Sequence, residues 1–149
     1  MNVVKVLTLG SVLCLAGVGL VGCGPSAEEQ AAASLKIVCD EANALLPGLP
    51  LDTLFPSASS DFNQVASSWS TVSQSLTSLS KDASSAGNDQ LARDLASVGN
   101  DANHMRAVAD TAGALGYGNV VMEWMDGINA FGRNSALFSQ SNMTFVGCG

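Results

Sequence analysis

The chain has 149 residues, enough for one domain with a sizeable core. Six Lys and Arg face 13 Asp and Glu, a formal charge of −7. That balance excludes phosphate-backbone recognition, which needs clustered bases, and it gives no attraction to anionic lipid. With 2 Trp, 5 Phe and 1 Tyr, the core must come mostly from Leu, Val, Ala and Met.

Lys5 is the only charge before Glu28, and Val6 to Gly22 is apolar or small throughout. Such a run partitions into a bilayer. It closes on Leu20-Val21-Gly22-Cys23, with a small residue directly before the cysteine. Residues 1–23 resemble the signal of a bacterial lipoprotein precursor, and those four residues resemble its lipobox. The resemblance implies cleavage before Cys23, a diacylglycerol on its sulfur, and palmitate-type acyl chains as the anchor. It covers 23 of the 149 residues and implies an address, not an activity. The expected organisation is a removed signal at 1–22 and a single helical domain at 23–149. That domain is anchored through Cys23 to a cell membrane, on its extracytoplasmic face. An uncleaved transmembrane anchor is the alternative, although the run is at the short limit for spanning. Either way, everything after Cys23 is exported. Processing removes Lys5 and no acid, leaving five bases, 13 acids and a formal charge of −8.

There are four cysteines. Cys14 leaves with the signal and Cys23 is taken by lipid, so Cys39 and Cys148 remain. An exported pair with no other partner reads as a disulfide; two separate buried thiols are the alternative. No CxxC or Cys/His grouping indicates zinc.

Ser26-Ala27-Glu28-Glu29 fits a capping box, with Ser26 as N-cap and Glu29 reaching back. Leu35, Val38, Ala42, Leu45 and Leu46 then share one helical face, with Cys39 beside it. Pro47-Gly48 ends this first helix. The connection from Pro47 to Ser60 is unusually apolar, holding Leu49, Leu51, Leu54 and Phe55. A second helix starts near Ser60 or Asp61. Its stripe is Phe62, Val65, Ala66, Trp69, Val72, Leu76 and Leu79, at alternating spacings of three and four. Serines fill much of its other face. Gly87-Asn88 is a break. A third helix carries Leu91, Leu95, Val98, Ala102, Met105, Ala109 and Ala112, with Gly99 as a weak point. It ends in the glycine-rich run from Gly113 to Gly118. A fourth helix starts near Asn119, with Val121, Trp124, Met125, Ile128 and Phe131 as its stripe. Gly132 kinks or ends it, Ala136-Leu137-Phe138 adds a last turn, and a tail leads to Cys148.

Four amphipathic helices of roughly 20, 27, 27 and 20 residues predict an all-α, up-down four-helix bundle with a disulfide-tethered C-terminal tail. A three-helix bundle with a broken segment is the alternative. Helix 1 begins almost at Cys23, so an up-down order carries the 47–60 and 113–118 connections to the far end. Leu54, Phe55, Leu115 and Tyr117 at that end are the candidate partner-binding residues. Their bland role is to plug the open end of the core; their sharper role is an exposed contact patch with aromatic anchors.

Catalytic chemistry is sought without success. Ser78-Leu79-Ser80-Lys81 matches SxxK, but the KTG partner is absent and the pattern arises easily in a serine-rich helix. There is no GxSxG, HExxH or P-loop. Pairs such as Glu123 and Asp126, or Asp94 and Asp101, read as solvated faces. The function expected is a non-enzymatic binding module at the cell envelope. It holds the membrane through its lipid and takes a protein partner, with no nucleic acid, cofactor or metal. The first alternative is a small-ligand, haem or metal carrier using His104, Met105, Met122 and Met125. The second is a phage-type exclusion lipoprotein.

Overall fold

In a computed structural model that describes residues 24–45, 47–135 and 148, Ser26 and Glu29 close the expected capping box. Ser26 N–H donates to Glu29 Oε2 at 2.7 Å, and Glu29 N–H donates to Ser26 Oγ at 3.2 Å. This reciprocal pair satisfies two donors that a helix start leaves unpaired. Helix α1 follows as Ala27–Leu45. The signal, Cys23, Leu46 and the segment 136–147 lie outside the described residues.

The remaining elements are α2 (Leu51–Leu54), α3 (Phe62–Ser85), α4 (Asp89–Leu115), a 3₁₀ turn (Tyr117–Asn119) and α5 (Val121–Asn134). The starts of α3 and α4 are set by side-chain caps. Asp61 Oδ1 accepts from the N–H groups of Asn63 and Gln64 and caps α3. Asn88 Oδ1 accepts from Leu91 N–H and caps α4. Gly87 takes φ +84° between the two helices, a conformation that costs a residue with a Cβ.

The architecture is the expected up-down four-helix bundle of α1, α3, α4 and α5, and Cys39 is bonded to Cys148. The antiparallel hairpin of α3 and α4 is its spine, α1 packs on α3, and α5 packs on α4. The stripes expected on α3 and α4 are buried in full. At about 1.5–3 kcal/mol for each large apolar side chain fully buried, this seam dominates stability.

Helix α4 runs unbroken through Gly99. This glycine lies where the two spine helices approach closely: a Cβ there would meet Leu76 Cβ at 3.4 Å. Ser73 Oγ donates to the Gly99 carbonyl at 2.8 Å, and Ser80 Oγ donates to the Ala92 carbonyl at 2.7 Å. Some α3 serines therefore stitch the seam rather than face water.

Two expectations need correction. The fourth long helix, Val121–Asn134, runs through Gly132 rather than ending there, and the last turn expected at Ala136-Leu137-Phe138 lies outside the described residues. The buried face of this helix is also rotated: Val120, Trp124, Gly127, Ile128 and Phe131 point inward, whereas Val121 and Met125 are exposed. Gly127 sets this phase. A Cβ on it would overlap Met105 Sδ, so the bare backbone accommodates the methionine.

Candidate functional site

The connection between α1 and α3 holds its own turns with local hydrogen bonds, and two tryptophans fix it to the bundle. Trp69 Nε1 donates to the Thr53 carbonyl at 3.0 Å, and Trp124 Nε1 donates to the Leu54 carbonyl at 3.1 Å. Both indoles are buried, and each finds the acceptor that burial demands. These bonds bring α2 onto the start of α5 and place the two connections at one end of the bundle. At the opposite end, the start of α1 lies beside the α3–α4 turn: Ala27, Asp82 and Gly87 line one open groove.

Aromatic rings back this α2 end. Tyr117 stacks on Phe62 with centroids 5.7 Å apart and meets Trp124 edge-on at 6.3 Å. Trp69 and Phe131 form a T-shaped pair at 4.9 Å. Pro56 and Thr53 are buried as well. The tip therefore sits on a packed aromatic base.

The four candidate residues separate into two pairs. Leu54 and Tyr117 are half-buried and pack against the core. Phe55 and Leu115 are 60% and 63% exposed. Leu51 is exposed beside Phe55, and α5 adds Val121, Met122 and Met125. Six of the seven large apolar residues exposed among the described residues belong to this end; Ile37 on α1 is the seventh. Their concentration is the distinguishing surface feature, since single exposed apolar groups are ordinary. The α5 contribution escaped the hydrophobic pattern, which assigned Val121 and Met125 to the core.

Other candidate groups are dispersed. Ser78 and Lys81 of the SxxK match are exposed on α3. His104 is exposed on α4, Met105 beside it is buried, and Met122 and Met125 point outward from α5. Asp101 accepts a hydrogen bond from Asn134 Nδ2 at 2.7 Å, and Asp94 accepts one from Gln90 Nε2 at 2.9 Å. No group of three or more metal-ligating side chains occurs among the described residues. A groove of about 660 Å³ lies between α1 and the end of α3, with Ile37, Val38 and Leu79 beside Glu41 and Asp82. It is open and lined by polar and apolar groups alike. No described helix is long and apolar enough to cross a membrane.

Comparison with protein-family models finds no match, and comparisons with curated proteins and with solved structures find none either.

Proposed function

We propose that the protein is a lipid-anchored binding module of the cell envelope, without catalytic activity, that meets a protein partner through the α2 end of its bundle. The lipobox resemblance of Leu20-Val21-Gly22-Cys23 supports the address. One observation carries the binding reading: Leu51, Phe55, Leu115 and Met122 are exposed at one end of the bundle, where two buried indoles hold the carrier segment in place. A backbone segment already held in place loses little conformational freedom when a partner covers it, and aromatic and methionine side chains suit such contacts.

Acylation at Cys23 would put this patch at the end farthest from the membrane. Only Gly24, Pro25 and Ser26 separate Cys23 from α1, and α1 runs away from that point towards α2. The α3–α4 turn then faces the bilayer.

The test expresses the full chain and its Cys23→Ser variant in a bacterial host. Intact mass and membrane fractionation read the anchor, and a photo-crosslinker at Met122 or at Gln90 reads the contact. The proposal expects a lipid mass on the parent only, with a discrete adduct from Met122 and none from Gln90. A parent without lipid removes the anchor. Equal adducts from both positions remove the tip as the site.

A further inference from the structure

The apolar residues of the tip are accompanied by acids, and the bases are elsewhere. The stretches 37–80 and 107–132 build the tip and its supports, and neither contains a Lys or Arg. Within them Asp52, Glu123 and Asp126 are exposed and form no salt bridge among the described residues. Of the other four acids in these stretches, Asp110 pairs with Arg106 at 3.0 Å, Asp40 pairs with Lys36, Asp61 caps α3, and Glu41 lines the separate groove beside Asp82. On α5, Met122 and Met125 stand three apart, and so do Glu123 and Asp126. At helical spacing this sets an apolar row directly beside an acidic row.

We infer that the tip receives a basic amphipathic helix of a partner protein, its apolar face on Phe55, Met122 and Met125 and its Lys or Arg flank on Glu123, Asp126 and Asp52. This inference rests on the proposed binding function and adds the chemistry of the partner. The unpaired carboxylates select positive charge. The methionines suit an apolar helix face, since their flexible, polarisable side chains adapt to its contour. No strand edge is available among the described residues for an extended peptide to join, which leaves side-chain recognition of a helix as the fitting mode. A second copy of the chain is disfavoured because it would bring the same acids into apposition.

The test uses the full chain in nanodiscs of zwitterionic phospholipid and two labelled synthetic helices. Both helices share one leucine face; one carries Lys on its flanks and the other carries Glu at the same positions. Fluorescence anisotropy should show the Lys helix binding at least about tenfold more tightly, with the difference shrinking as salt rises. The double variant Glu123→Lys, Asp126→Lys should reverse the preference. The double variant Phe55→Ser, Met122→Ser should weaken both helices while melting is unchanged, since all four side chains are exposed. Equal affinity for the two helices, with both still lost in the Phe55 and Met122 variant, overturns the basic partner and leaves the binding tip standing. Binding of the Lys helix that ignores all of these substitutions overturns both, because the contact then lies elsewhere. Tight binding of the Cys23→Ser chain to zwitterionic vesicles, abolished by Met122→Ser, overturns the inference by making lipid the occupant.

Discussion

Trp124 and Leu54 are 70 residues apart, yet the indole Nε1 of the first donates to the backbone carbonyl of the second at 3.1 Å. This bond ties the fold to the proposed site. Leu54 is the last residue of α2, and Phe55 follows it with its ring in solvent. The position of the exposed ring is therefore set by a buried one.

Replacing Trp124 with Phe keeps an aromatic ring but removes the donor. The Leu54 carbonyl then has no indole, and the expected loss is about 1–3 kcal/mol. Amide exchange at Thr53 and Phe55 should quicken more than exchange in α3, because their bonds to Pro50 and Leu51 hold the released segment. Uniform loss of protection across the chain would show that Trp124 acts only as core volume.

The bond between Cys39 and Cys148 spans 109 residues. Converting both to Ser should lower stability by about 2–5 kcal/mol, as bridge loss does in small secreted domains. Denaturant midpoints of the parent and the double variant decide this. Coincident midpoints would mean that the tether adds no stability.

Two glycines respond oppositely to the same change. Gly99→Ala adds a Cβ at ordinary contact distance, 3.4 Å from Leu76 Cβ. It gains up to about 1 kcal/mol of helix propensity and should be neutral or stabilising. Gly127→Ala puts its Cβ inside the Met105 sulfur contact, and Met105 is fully buried. Forced repacking there should cost about 1–3 kcal/mol. Matching thermal shifts for the two variants would contradict the packing described for α5.

Ser73→Ala and Ser80→Ala each remove a hydroxyl that donates across the α3–α4 seam. Each should cost about 0.5–1.5 kcal/mol. Ser78→Ala, at an exposed position on the same helix, serves as the control and should change little.

The spine was legible in the sequence because α3 and α4 place a large apolar residue at nearly every turn of one face. The cap at Ser26 was legible because it stands three residues before Glu29 in a capping box, whereas Asp61 and Asn88 read only as a start and a break. The phase of α5 was not. Val120, Val121, Met122, Trp124 and Met125 offer two stripes that share Trp124, Ile128 and Phe131. The choice falls to Gly127, which carries no hydropathy signal but lets Met105 in. The serines at 73 and 80 read as a solvent face because a hydroxyl suits water as well as a carbonyl. In the site, the apolar content of the 47–60 connection stood out. Which of its residues point outward depends on a four-residue helix and two indole bonds from distant positions. Such a helix is too short for periodicity to report.

The central claim is that the exposed apolar end is a contact surface rather than a lid on the core. It is tested most directly by measuring melting temperature and partner capture together on Phe55→Ser, Met122→Ser in the full chain, with the crosslinker at Val121 in living cells. The account predicts a melting temperature within about 2 °C of the parent, as for surface changes outside the core, together with loss of the adduct. A melting temperature lowered by several degrees with the adduct retained would contradict it, and would make these residues part of the packing.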